Sequence, residues 1–590
     1  MMKRLALATA IALIATGSAY AQGTQTSSWV ERSNDDAKVL LNVSAQFNPE
    51  NATQIGLTGY DDKVSDLKPD ANARQSKALH EAKAKLESKL AAEHDPNVRQ
   101  DLQIMIKTAG LWVEGIELND KYMLPYQDVG QLIFNGEFAL LRDEVDAKRR
   151  PNALKRLECY VGKAPGCTPI TKLAQAQTAA RLTDKQLLGP YKGNVDQQLS
   201  NSQRYAQGVR QLFEKYKLDD AQSKAALDAL DAQLKDYDAW VRSTIVPRQR
   251  NDFRLPEPLY AYNLKQVGID IPPEELIKQA QMEFVETRSA MQMVAPVVAK
   301  AEGISSTDYR DVIKALKQQQ LGKDQVMPWY HDVIGKIEDT IRNEHIVTLP
   351  QRAMQMRVAS EAEAASTPAP HMDPPPLVDN HGERGTFVLT MGNPSTTGNT
   401  SDAYDDFTFK AAAWTLTAHE GRPGHELQFS AMVERGVSLA RSLFAFNSVN
   451  VEGWALYAES EMQPYEPPAG QFITLQLRLM RAARAFLDPM LNLGLISKER
   501  AHDVLRNDVG LSEAMTRQEL DRYTFNSPGQ ATAYFYGYMR IQQLRLQTEL
   551  ALGKNFNRQA FNDFIIGQGL LPPEQLAEAV RTQFIPSQKK

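Results

Sequence analysis

The sequence predicts a mainly α-helical protein with very little strand, and three observations carry that expectation. Apolar residues recur at helical spacing over most of the chain, strand-like runs are few, and the strongest interruption is a proline-rich segment between two helical regions.

The chain starts MMKRLALATAIALIATGSAYAQ: Lys3 and Arg4, an apolar run from Leu5, then small residues ending at Ala21. Residues 1–21 read as a secretory signal peptide, the alternative being a retained amino-terminal anchor. The run is short for a membrane span, and no later stretch approaches the roughly 20 apolar residues a membrane helix needs. The mature protein is therefore expected in the periplasm, with no stable membrane insertion after cleavage. Residues 22–75 form a polar lead-in, rich in Gln, Ser, Thr and Asn, and the start of the helical body. Residues 76–360 form a helical lobe. Within it SKALHEAKAKLESKLAAE, SQRYAQGVRQLFEKYKL, DAQSKAALDALDAQLKDYDAWVRSTIV and PEELIKQAQMEFVETRSAMQMVAPVVAKAEG combine helical spacing with good helix formers. In ECYVGKAPGCTP, Pro165 and Gly166 let the chain turn so that Cys159 and Cys167 can pair, which an exported protein would retain.

Five prolines interrupt EAEAASTPAPHMDPPPLVDNHGERG, and residues 361–384 are assigned to a connection within one large body; two domains split near residue 370 remain the alternative. GTFVLTM, Gly385 to Met391, is the best strand, expected at a sheet edge lining a cleft, where an extended substrate could pair with it. Residues 385–590 are then the metal-site helical lobe. The net charge of −5, with both signs interspersed, offers no phosphate-binding surface, so nucleic acid is not an expected partner. Oligomeric state is not written in the sequence.

The chemistry concentrates in KAAAWTLTAHEGRPGHELQFSAMVERG and FNSVNVEGWALYAESEM. Two imidazoles and one carboxylate suit zinc, with the fourth position open to a water whose proton a nearby Glu can take. His419 and His425 are the candidate imidazoles, Glu420 the candidate base. Their spacing of six, in place of the usual four, sets the second ring about 120° away on an ideal helix, so a kink or bulge between Arg422 and Gly424 is required. Glu426 also adjoins a histidine and is the rival base. Glu452, on a helix otherwise suited to burial, is the candidate third ligand; Glu459 is either a partner of one histidine or a surface carboxylate. Mn²⁺, Co²⁺ and Fe²⁺ would also suit such donors.

AHEGRPGHELQ, VEGWALYAE and ELDRYTFNSPGQATAYFYGYMRI, in that order, resemble the blocks of the bacterial domain of unknown function 885 family, which is similar to helical gluzincin zinc peptidases. The likeness covers the carboxyl-terminal half in detail and the amino-terminal helices in general character. It implies a two-lobed helical body with a deep cleft, one Zn²⁺ per chain on His419, His425 and Glu452, Glu420 as base, and short peptides as substrates. In the third block Tyr534 and Tyr538 lie one turn apart; Tyr534 is the first candidate oxyanion donor and Tyr538 the second, against a purely packing role. Arg522 and Gln530 are candidate substrate-binding residues, Arg through bidentate carboxylate pairing. His80, His94, His331, His345 and His502 read as surface residues, and His371 and His381 flank the proline-rich segment. The expected function is hydrolysis of peptide bonds in short peptides. The alternatives are an inactive exported peptide-binding protein, or a metal-dependent hydrolase of a non-peptide amide or ester.

Overall fold

The computed structural model describes residues 28–391 and 405–589; the signal-peptide assignment lies outside them. Helices follow one another almost without a break. The first, Trp29–Phe47, starts as soon as its cap allows: Ser28 Oγ accepts from the Glu31 amide, and Glu31 returns the bond to the Ser28 amide. Its Ala37, Leu40, Leu41 and Ala45 form one buried face, so ordered helix begins well inside the polar stretch 22–75. Helices Ala71–Ala92 and Pro96–Tyr122 pack on it and on each other. The predicted helices of the first lobe are found as Lys192–Lys215, Ala221–Trp240 and Pro273–Glu302. Among the described residues no helix is long and apolar enough to cross a membrane.

Burial divides the apolar residues into two cores. The larger draws on residues 37–113 and again on 260–584, whereas the smaller is built from residues 129–245 with Ala362 and Ala365 added. The helices on both sides of the proline-rich segment thus share one core, and that segment is more than a connection. Ser360 caps a short helix, Glu361–Ser366, whose Ala362 and Ala365 enter the smaller core, and five residues farther on a strand begins at His371. Cys159 and Cys167 are bonded at 2.04 Å, at the end of a helix, Asn152–Tyr160, of the smaller core.

Among the described residues three strands form one sheet: β1 (Gln355–Val358), β2 (His371–Asp373) and β3 (Thr386–Leu389). Their order is β1-β3-β2, with β1 parallel to β3 (Gln355 opposite Thr386) and β2 antiparallel (His371 opposite Val388). The GTFVLTM strand is therefore central, and its expected edge position is corrected. All four of its residues are buried, the apolar Phe387, Val388 and Leu389 without alternation and Thr386 with its hydroxyl donated to Glu144, and both of its edges are paired. It has no free edge for a substrate; β2 does.

Candidate metal centre

His419 and Glu420 close a helix, Ala412–Glu420, and His425 opens the next, His425–Glu434. The spacing of six is accommodated by ending one helix and starting another, a larger break than a bulge. Backbone contact makes the junction tight: a Cβ on Gly424 would lie 1.9 Å from the His419 carbonyl oxygen, so only glycine fits. Arg422 anchors the junction. It donates to Glu426 (2.7 Å), to Glu338 (2.8 Å) and to the Arg352 carbonyl (2.6 Å), while the Trp454 indole donates to the Pro423 carbonyl (3.0 Å). Glu426 is thereby consumed in a buried ion pair, and it also accepts from Ser430; it does not line the cavity described below. Of the two candidate bases, only Glu420 faces open space.

The two imidazoles meet edge to face, ring centroids 4.8 Å apart. Glu452 arrives from a third helix, Ser448–Met462, whose amino terminus Asn447 caps. Its Oε2 lies 3.5 Å from His419 Nε2 and 3.3 Å from His425 Nε2. Donors at about 2.0–2.1 Å from a tetrahedral zinc stand about 3.4 Å from one another. Glu452 Oε2 is buried and has no hydrogen bond of normal geometry among the described residues, so beyond the electrostatic pull of the two imidazoles these three atoms face a common point. A divalent cation fits this donor set. Glu420, whose Oε1 is 3.9 Å from His419 Nε2, belongs to the same cluster. Distance to both imidazoles favours Glu452 as the third ligand and leaves Glu420 beside it. Burial pushes the Glu420 carboxyl up to about 7, against the opposing influence of His425, while for Glu452 the two imidazoles outweigh burial and hold it well below the usual range.

The other nitrogen of His419, Nδ1, lies 2.7 Å from Glu459 Oε1. Glu459 is buried and also accepts from Thr415 (3.0 Å) and Arg481 (3.2 Å), so it is a partner of the histidine and no surface carboxylate. Burial alone would raise its pKa; Arg481 and His419 overcome this and keep it ionised. His425 Nδ1 is buried with no hydrogen-bond partner.

Tyr534 stands over His419, ring centroids 6.1 Å apart and nearly parallel, and its Oη accepts from Arg522 (2.8 Å). Arg522 also bonds Gln530, whose amide reaches Glu452 Oε1 at 3.4 Å. Three expected residues, Tyr534, Arg522 and Gln530, therefore converge on the cluster. Tyr538 does not: one turn on, its hydroxyl accepts from Gln542 and its ring lies under Arg478. The approach of the Glu452 and Tyr534 helices depends on a glycine pair. A Cβ on Gly537 would lie 1.9 Å from the Val449 carbonyl oxygen, and one on Gly453 would lie 2.5 Å from the Gly537 carbonyl carbon.

Arg484 was not foreseen. It lies 4.5 Å over the Tyr534 ring and pairs twice with Glu519 at 2.7 Å, holding that buried carboxyl down at about 2 in spite of burial. Arg481 was missed as well. The available signal was three arginines three residues apart, Arg478, Arg481 and Arg484, on a helix whose other residues suit burial.

A cavity of about 870 Å³ opens beside the cluster. One wall holds Glu420, His425, Glu452, Arg522 and Tyr534, and the other holds Asp128, Gln131, Asn201 and Tyr205, next to residues of the smaller core. His371 of β2 lines it too. His80, His94, His331, His345 and His381 are exposed, and His502 pairs with Glu513 at 3.0 Å.

Fold and site together define the class: a mainly helical protein of two cores, with a buried His–His–Glu cluster beside a cavity. Residues 49–580 match the bacterial protein family of unknown function DUF885, and the chain belongs to that family. The crystal structure of a protein described as a lipoprotein, from Colwellia psychrerythraea, is similar in fold, with a TM-score of 0.75 and 19% identity over 94% of this chain and 99% of that one. A second, described as a lipoprotein of unknown function from Shewanella oneidensis, has a TM-score of 0.69 and 17% identity over 94% of this chain and 100% of that one. At such identities the likeness shows the fold alone. No curated protein matches the sequence.

Proposed function

We propose that this protein is a gluzincin-like zinc metallopeptidase that hydrolyses peptide bonds in short peptides in the periplasm, using one Zn²⁺ per chain on His419, His425 and Glu452. The observation that carries the proposal is Glu452 Oε2, buried without a hydrogen bond of normal geometry among the described residues and 3.3–3.5 Å from both imidazole Nε2 atoms, with Glu420 beside the group and a cavity in front of it. Zinc held there would supply a Lewis acid and a water with its pKa lowered to about 7.

The chain's own residues do the rest. Glu420 takes a proton from the attacking water at its cavity-facing carboxylate and returns it to the leaving amine. Tyr534 Oη already accepts from Arg522, so its own proton is left to donate to the substrate carbonyl oxygen as that oxygen gains charge. Glu459 accepts from His419 Nδ1, which presents Nε2 to the cation. The cavity between the two walls serves as the deep cleft and admits extended peptides more readily than folded proteins. Export is supported by the signal-like leader, by the Cys159–Cys167 bond, and by neighbours described as lipoproteins.

Elemental analysis of the purified protein, together with a peptide-library digest, tests this. One zinc per chain is expected, lost in His419→Ala, His425→Ala and Glu452→Ala. Glu420→Gln is expected to keep the metal and lose about 100-fold or more in turnover. Zinc without cleavage of any peptide would overturn the peptidase and favour the binding protein or a hydrolase of other amides or esters.

A further inference from the structure

A second cavity of about 800 Å³ meets the first. Pro374, Phe429, Phe446, Asn526 and Ser527 line both, and Gln530, which reaches Glu452, lines the second. The cluster thus lines the first chamber, and Gln530 links it to the second. Their chemistry differs: the first presents Asp128, His371, Glu420, Glu452 and Arg522, whereas among the described residues no charged residue and no histidine lines the second. Trp112, Leu443, Phe444 and Phe446 give it large apolar surfaces, and Phe446 keeps 55% of its surface exposed. Phe446 alone is an ordinary exposed residue, but together with Trp112, Leu443 and Phe444 it gives a concave lining with contiguous apolar surface, the kind of surface on which an apolar group is bound.

We propose that this uncharged chamber is the specificity pocket of the enzyme, taking a bulky apolar residue on one flank of the cut bond and rejecting a charged one. The inference rests on the peptidase reading for the identity of its occupant. Its physical basis is desolvation. An apolar side chain gains by leaving water against Phe446 and Trp112, whereas a carboxylate or ammonium there would lose part of its water and meet only uncharged polar groups such as Asn263 and Gln266, with no counter-charge among the described lining residues. The polar first chamber then holds the other flank of the same peptide.

Two measurements test it and keep its failure separate from that of the peptidase. The zinc-loaded Glu420→Gln protein is titrated calorimetrically with Ala-Ala-Phe-Ala-Ala and with the same peptide carrying Asp in place of Phe. The Phe peptide is expected to bind at least about tenfold more tightly, a factor that one apolar pocket readily supplies. Adding Phe446→Lys, an exposed position whose replacement costs the fold little, or Gln266→Lys, an exposed change in the lining, gives an Asp side chain a counter-charge and removes apolar surface, and is expected to abolish that preference. In parallel, wild-type digestion of randomised decapeptides is expected to place a bulky apolar residue on one flank of the cuts. Equal binding of both peptides, or a preference untouched by both substitutions, would overturn the pocket. Selective, Phe446-dependent binding without any cleavage would uphold the pocket and overturn the peptidase, and cleavage without apolar selection would do the reverse.

Discussion

At His419 a single hydrogen bond decides which nitrogen is offered to a cation. Nδ1 donates to Glu459, whose charge is held by Arg481 and whose second oxygen is occupied by Thr415, so Nε2 keeps its lone pair toward Glu452 and His425. Removing such a partner typically costs 10- to 100-fold in metal affinity, about 1.4–2.7 kcal/mol. Glu459→Ala is accordingly expected to weaken zinc binding in that range in competition with a chromophoric chelator, and Glu459→Gln, which keeps an accepting oxygen, to weaken it less. Unchanged affinity in Glu459→Ala would sink this role. The four central residues of the cluster were legible in the sequence because few chemistries need those residue types so close together. Tyr538 was not separable from Tyr534, since one helical turn places both near the same face and only the neighbours Arg478 and Gln542 draw it away. Arg481 and Arg484 were hidden for another reason: their acids, Glu459 and Glu519, lie on other helices far along the chain.

Between elements, what brings the helices of Glu452 and Tyr534 together on one cavity wall is the absence of side chains. Gly453 and Gly537 let two helices touch backbone to backbone, and a Cβ at Gly537 would overlap the Val449 carbonyl. The surrounding core is close-packed, so the helices would have to move apart. Gly537→Ala is expected to destabilise by about 1–3 kcal/mol in chemical denaturation and to weaken zinc binding by displacing Glu452. A variant as stable as the wild type with full zinc affinity would show that the contact is not needed. Helices were the easiest elements to foresee, because a 3.6-residue period repeats many times within each. The sheet was harder. GTFVLTM was recognisable as a strand, but its partners, Gln355–Val358 and His371–Asp373, are too short to carry a period and pair through contacts distant in sequence, so its central place could not be read. The spacing of six between the histidines signalled a break without specifying that one helix ends and another begins.

Across the whole molecule, the two cores stabilise different things. All three proposed zinc ligands belong to helices of the larger core, while the disulfide closes a short loop beside the smaller one. The proline-rich segment drew attention as a boundary, yet the chain leaves the larger core before residue 129 and returns after 245, where no comparable run of prolines marks it. That division makes a calorimetric prediction, provided each core unfolds as a unit. A ligand present at about 100 times its Kd stabilises what it binds by about 2.7 kcal/mol, and closing so short a loop by about 2–3 kcal/mol. Stripping zinc with a chelator is therefore expected to lower the melting transition of the larger core and leave the other in place. Reducing Cys159–Cys167 is expected to lower only the transition of the smaller core. If either reagent moved both transitions equally, or if a single transition responded to both, the cavity wall between the cores would be joining them into one cooperative unit, and the metal site would depend on the fold of the domain across from it.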